Sequence, residues 1–419
     1  MDLPVAGFEG RLNIDLTVKG GRVSDVSLNS SRPLAATKVL QGKSAAQALD
    51  MLGMMYNLCG IAQTVAGLEA IEQALGLRVA DAQKAARSVM IQAESLEQIS
   101  WRVFMDWPPL AGDTPSTQHL LPLREQVARL KTLVYPKADW KRLGGGTLTP
   151  DRDAIETCLA EIDRILAEAL FADETAEPDQ WGALTSGQTF EAWYRRGGTS
   201  AARMFRRIAE GGLAAFGAGP IAGMGMDLDN VSALTRQLSQ RLDKEDDFTT
   251  SAEPSDDGEV LETGSLARLG HHPLIQDLNG HYANGLMTRL AARLLDLVTL
   301  TDTVRSCLDL LAPHRGGADF STMDGTGTGV VETARGRLLH RVHLKDGQID
   351  RYRMIAPTEW NFHPQGPLAL GLEGQPVINR DGFEQDVALL VTALDPCVAF
   401  KINIQEHADR SRKEQVADA

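Results

Sequence analysis

The spacing of apolar residues changes period along this chain, and that change constrains the fold more than any other feature. Near the N-terminus, Arg11-Leu12-Asn13-Ile14-Asp15-Leu16-Thr17-Val18 alternates polar and apolar side chains, and Lys19-Gly20-Gly21 leads into a second such run at 22–28. A period of two turns one face inward, and glycines supply the positive φ of a tight turn, so the pair reads as a β-hairpin. From Ser44 the period lengthens. Ala45, Ala48, Leu49, Leu52 and Met55 recur at three- and four-residue steps, with Ser44 as N-cap. A second helix covers about 61–75 and stops at Gly76, which leaves Leu58-Cys59-Gly60 at the junction. Helical spacing returns at about 81–106, 118–133, 152–171, 188–213 and 281–312, with breaks at Gly144-Gly145-Gly146 and across 217–225. Towards the other end, 337–344 and Gln348–Ile355 form a second hairpin around Lys345-Asp346-Gly347. Strands near both ends and helices between them specify an α+β fold, predominantly α-helical.

No internal repeat divides the 419 residues, and with 43% of them hydrophobic the chain can bury one large core, so 1–419 reads as a single domain. A formal charge of -14 disfavours a nucleic-acid backbone as partner. The segment 243–262 has nine acidic residues and one lysine, which predicts a solvated, mobile loop. No apolar run reaches the roughly 18 residues of a membrane helix. The opening residues have neither a basic start nor an apolar core, so no signal peptide is expected and the cytoplasm is the expected compartment.

Four cysteines in this length do not make a disulfide framework, and reduced thiols are the simpler reading. Cys158 and Cys307 lie in helical patterns beside apolar residues and read as small core residues. Cys59 precedes a glycine at a break between helices, and Cys397 follows Asp395-Pro396, where proline keeps the preceding residue out of a helix. Both settings could present a thiol, the strongest soft-metal ligand among side chains, to a shared cavity. There is no CxxC, HExxH, P-loop or GxSxG.

Eight short blocks, in order, resemble those of the [NiFe]-hydrogenase large subunits. Gly7-Phe8-Glu9-Gly10-Arg11 is similar to the family's R-x-E-G-H, and Asn57-Leu58-Cys59-Gly60-Ile61-Ala62 to its R-x-C-G-x-C. Phe104-Met105-Asp106-Trp107 resembles an aspartate–tryptophan segment, and Leu143-Gly144-Gly145-Gly146 a P-G-G turn. Thr263-Gly264-Ser265-Leu266-Ala267-Arg268 is similar to T-G-x-L-A-R, Glu332-Thr333-Ala334-Arg335-Gly336 to E-A-P-R-G, and Ala356-Pro357-Thr358-Glu359-Trp360-Asn361 to A-P-T-x-W-N. Asp395-Pro396-Cys397 resembles the start of D-P-C-x-x-C-x-x-H. The resemblance implies the large-subunit fold.

The departures bear on function. In the family, four cysteines hold nickel and the second of each pair bridges to an iron carrying two cyanides and a carbon monoxide. Here the second positions are Ala62 and Phe400, and the histidines that follow the pairs are Ala66 and Asn403. The resemblance therefore implies no stably held nickel and no hydrogenase activity. It also implies that the iron-side pocket is kept: Arg335 over the site, Pro357 and Thr358 against the cyanides, and Glu9, Asp106 and Asp395 as nearby acidic groups. Taken singly, Glu9 and Asp106 could be surface carboxylates, and Arg335 could pair with one of them. Such a chain is similar to the accessory, or maturation, proteins of the HupK/HoxV type. Their implied role is a scaffold for the Fe(CN)2(CO) fragment before its transfer to a hydrogenase large-subunit precursor. Cys59 and Cys397 would be the metal ligands, turning towards the iron position or joined by a thiol from a chaperone of the HypC family. The alternative is a structural paralogue without metal that docks on hydrogenase subunits or chaperones. The short polar tail at 404–419 is expected to escape the C-terminal processing of the enzymes.

Overall fold

The alternating runs at the start form β1 (Arg11–Lys19) and β2 (Arg22–Ser30), an antiparallel pair in which Leu12, Ile14, Leu16 and Val18 of β1 are buried. In the computed structural model, which describes residues 10–31, 36–56, 58–171, 184–226, 228–244, 260–317 and 323–406, the other edge of β1 is also occupied. The last strand, β8 (Ala399–Glu406), runs parallel to it from Arg11↔Ala399 to Val18↔Glu406. A parallel neighbour requires a crossover, and here the crossover is the rest of the protein.

Between these strands come α1 (Ala45–Met55), α2 (Gly60–Ala74) and α3 (Asp81–Trp101). A π-helical turn at Arg102–Asp106 joins α3 to the short α4 (Trp107–Leu110). Then follow α5 (Leu120–Val134), β3 (Thr147–Leu148), α6 (Arg152–Phe171), α7 (Gly187–Arg196), α8 (Ser200–Glu210) and α9 (Leu228–Lys244). After them lie α10 (Ser265–Leu269), α11 (Pro273–Tyr282) and α12 (Leu286–Cys307), with β4 (His314–Arg315) pairing back on β3. An antiparallel meander of β5 (Gly325–Thr333), β6 (Gly336–Lys345) and β7 (Gln348–Ile355) precedes α13 (Pro357–Asn361), α14 (Pro367–Leu372) and α15 (Arg380–Leu394). The architecture is α+β and mostly helical, as the periodicities predict.

Helix α2 is seated on β5 by glycine. A Cβ at Gly325, Gly327 or Gly329 would lie 2.1, 1.9 or 2.0 Å from the carbonyl oxygen of Ala74, Ala70 or Ala66. Alternate strand positions thus meet every fourth helix position backbone to backbone, which no larger residue on the strand permits. The same glycines weaken the strand signal, which explains why the sequence shows β6 and β7 but not β5. On the other side of the core, α12 is buried around most of its circumference, as expected of a central helix. Its buried charges are all paired: Arg289 with Glu262, Arg293 with Asp395, and Asp296 with Arg268.

The structure corrects several sequence expectations. The segment 188–213 is two helices, because Gly197-Gly198 intervenes and Thr199 caps α8 by accepting the Ala202 N–H. Helix α15 and strand β8 were not anticipated, although Asn379 is a cap and Val387, Leu390, Val391 and Leu394 keep helical spacing. The ends of the acidic stretch 243–262 are anchored rather than loose. Asp243, in α9, binds Arg341 and His343 at 2.6 and 2.7 Å, and Glu262 is buried against Arg289 at 2.7 Å. Positions 245–259 lie outside the described residues. Among the described residues, no helix is long and apolar enough to cross a membrane.

Candidate functional site

Cys59 is the residue before α2, half-buried, where the backbone leaves the loop with φ −137° and enters the helix. Its thiol does not cap the helix. That work falls to Glu94 of α3, whose two carboxylate oxygens accept the N–H groups of Ile61 at 2.8 Å and Ala62 at 3.0 Å. A carboxylate suits the positive end of a helix dipole, yet burial pushes Glu94 up to about 7 against those two hydrogen bonds. Burial also pushes the Cys59 thiol up to about 12, helped by Cys397 and Glu94 and opposed by Arg335 and by a hydrogen bond from Gln63. Arg335 connects the two thiols: its charge acts on Cys59, and it ion-pairs with Asp395, two residues before Cys397.

Cys397 arrives by a different route. Helix α15 ends at Asp395, which takes the left-handed conformation at φ 52° and donates its N–H to Val391. This turns Pro396-Cys397 back towards α13. Thr358, in the first turn of α13 behind the buried Pro357, accepts the Cys397 N–H at 3.3 Å, and its hydroxyl lies 3.1 Å from the Cys397 sulfur. The Thr358 hydroxyl is therefore engaged with the cysteine itself.

Three guanidinium groups meet the buried Asp395. Arg102 binds one carboxylate oxygen at 2.8 Å, Arg293 binds the other at 2.7 Å, and Arg335 Nε stands 3.5 Å away. Burial alone would favour the neutral acid, but Arg335, Arg102 and Arg293 together hold the carboxyl well below its usual range. Arg102 reaches on to Asp106, half-exposed, at 2.5 Å. The π-helical turn contains both Arg102 and Asp106, and such a turn re-aims side chains within a continuous helix. Arg335 lies on the turn between β5 and β6, 4% exposed, where Nη1 donates to Gln98 and Nε has no hydrogen-bond partner among the described residues. Its backbone is pinned by Gly264, where a Cβ would come within 3.1 Å of the Arg335 carbonyl. Two of the sequence blocks, 263–268 and 332–336, thus close on one another.

The site gathers Cys59, Cys397, Thr358, Pro357, Arg335, Asp395 and Asp106; Glu9 lies outside the described residues. A groove of about 570 Å³ lined by Leu58, Gly60, Glu94, Gln98, Trp101 and Arg335 leads to it from the surface. No cluster of three or more histidine, cysteine or acidic residues suited to a metal ion occurs among the described residues. Ala62 and Ala66 are fully buried, and Phe400 is 36% exposed on β8. Asn403 donates to Asp15 at 2.8 Å across the β8–β1 pair, a structural contact. Cys158 is core, and Cys307 is half-buried with its thiol 3.5 Å from the Thr303 carbonyl. Sequence reasoning missed Arg102, Arg293, Gln98, Glu94 and Gln63. The available signal was a charge inside an apolar helical run, as at Arg293 in Leu290-Ala291-Ala292-Arg293-Leu294-Leu295.

Residues 226–402 match the family described as nickel-dependent hydrogenase. The chain is 29% identical over 406 residues to the hydrogenase expression/formation protein HupK of Rhizobium leguminosarum bv. viciae, covering 96% of this chain and 98% of that one. It is also 29% identical to the hydrogenase expression/formation protein HoxV of Cupriavidus necator, covering 93% and 95%. A chain of the Ni-Fe-Se hydrogenase from D. vulgaris Hildenborough superposes with a TM-score of 0.67 at 18% identity, over 91% of this chain and 94% of that one.

Proposed function

From a chain akin along almost its whole length to hydrogenase expression/formation proteins, and built on the hydrogenase large-subunit fold, we propose a role in hydrogenase maturation. Within that role the protein is a scaffold that receives the Fe(CN)2(CO) fragment and passes it to a hydrogenase large-subunit precursor. The observation that carries this reading is two half-buried thiols, Cys59 and Cys397, sharing a site walled by Arg335.

The donor set suits that cargo. A low-spin iron(II) already holding three diatomic ligands needs two or three further donors, and two thiolates meet most of that need. The positions that would supply bridging thiolates are Ala62 and Phe400, which have no lone pair for a second metal. Neither hydrogen turnover nor a resident nickel is therefore part of the proposal. Arg335 Nε makes no hydrogen bond among the described residues and only a 3.5 Å ion pair with Asp395, so its N–H is available to a cyanide nitrogen, and the excess of guanidinium over carboxylate around Asp395 favours an anionic guest. A thiol held at about 12 is protonated in the empty protein, so loading must release a proton. Fewer protein ligands also ease release to the next protein. The groove beside Leu58 and Trp101, both 43% exposed, is the natural approach for a chaperone of the HypC family that carries the fragment in.

The test is anaerobic purification from cells with an intact maturation pathway, followed by infrared spectroscopy in the cyanide and carbon monoxide stretching region. Bands are expected in the unmodified protein and not in Cys59→Ala or Cys397→Ala. A protein without bands and without iron overturns the reading.

A further inference from the structure

From Cys59 a line of polar side chains, none of which lines the groove, runs into a largely apolar core. Gln63 Nε2 donates to the Cys59 sulfur at 3.5 Å. Gln63 Oε1 lies 2.9 Å from His340 Nε2, and His340 Nδ1 lies 2.6 Å from the Tyr352 hydroxyl. Gln63 is 2% exposed, His340 0% and Tyr352 3%, and the three come from α2, β6 and β7.

The direction of every bond in this line is set by its end. An amide oxygen can only accept, so His340 must donate from Nε2, which in a neutral ring leaves Nδ1 as the acceptor of the Tyr352 O–H. Each hydrogen therefore points towards Cys59. Bonds aligned in this way polarise one another, and the last of them falls on sulfur. Space for the line is made by glycine: a Cβ at Gly67, one turn after Gln63, would lie 2.9 Å from the Tyr352 hydroxyl and 2.6 Å from Leu52. Burying three polar side chains is costly unless each is satisfied, and this line satisfies them by terminating on the cysteine.

We propose that Gln63, aligned by His340 and Tyr352, is a positioning residue that holds the Cys59 sulfur as a metal donor and withdraws electron density from it. The idea rests on the scaffold reading only in so far as Cys59 and Cys397 together take a metal. A hydrogen bond to a metal-bound thiolate lowers the energy of its lone pairs, and partners of this kind typically change metal affinity by about 10–100-fold.

The experiment uses cobalt(II) as probe, added anaerobically to the full-length purified protein, and reads the thiolate-to-cobalt charge-transfer absorption. Gln63→Met keeps the length of the side chain but removes the donor. It is expected to move the band to longer wavelength and to weaken cobalt binding about tenfold. Tyr352→Phe removes the far hydroxyl alone and is expected to shift the band in the same direction by less; it carries the test if Gln63→Met does not fold. A purely structural role would change melting temperature without moving the band. Bands identical to the unmodified protein in both variants, while Cys59→Ala abolishes absorption, overturn the inference and leave the scaffold reading standing. Absorption that survives both Cys59→Ala and Cys397→Ala overturns the two together.

Discussion

Asp395 concentrates the electrostatics of the site in one side chain. It is 2% exposed and faces Arg102, Arg293 and Arg335, and its left-handed backbone turns Cys397 into place. Removing its charge leaves buried guanidinium groups without compensation, a loss of about 3–5 kcal/mol for a broken buried pair. Asp395→Asn is therefore expected to lose stability on that scale in urea denaturation, whereas Asp81→Asn, in an exposed pair with Lys84, changes it by less than about 1 kcal/mol. The resemblance marks Asp395 as an acidic neighbour of the site. Its three partners come from α3's extension, α12 and the β5–β6 turn, which no local pattern connects.

Helix α2 owes its position to β5, and through α2 the strand fixes Cys59. The contact of Gly327 with Ala70 leaves 1.9 Å for a Cβ, so Gly327→Ala must push the helix off the sheet. A destabilisation of about 3 kcal/mol is expected, the upper part of the usual range for overpacking. Gly280, inside α11, has nothing within 4 Å of its hypothetical Cβ. Gly280→Ala is expected to stabilise by about 0.5–1 kcal/mol, since alanine is the better helix residue. Thermal melting of the two variants separates a glycine required by close approach from one that is not. Periodicity marks α1, α5 and α6 because each buries one stripe of a helix long enough to show the period, and it marks α2 and α3 by length and apolar content although both are buried around much of their circumference. It could not locate the π-helical turn, which leaves the apolar spacing of 81–106 nearly unchanged while re-aiming Arg102 and Asp106.

Across the whole molecule, buried acids give stability a slope with pH. Glu69, on α2, accepts the Val330 N–H at 3.2 Å, but burial pushes it up to about 7. Glu94 is pushed to the same value. Between the ordinary glutamate range near 4.5 and about 7 the folded protein holds protons that the unfolded chain has released, so stability falls as pH rises through that window. Asp395 acts in the opposite sense: its contribution is present above the usual aspartate range and is lost as pH falls through and below it. Denaturation midpoints measured from pH 4 to 8 should decline towards neutrality, and Glu69→Gln should flatten part of that decline. A midpoint that rises steadily over the same range would refute this account of Glu69 and Glu94.

The fold class, the helices with a clean apolar stripe, both hairpins and the candidate residues that sit in recognisable short blocks are all legible in the order of the amino acids. These features are local, and a period or a motif records them within a few residues. The packed chain adds that the first and last strands lie side by side, that three arginines share Asp395, and that Gln63, His340 and Tyr352 line up behind Cys59. Each of those depends on contacts between distant segments. A buried polar side chain finds its partner wherever the packed backbone brings one within reach, and neither spacing nor composition encodes that distance.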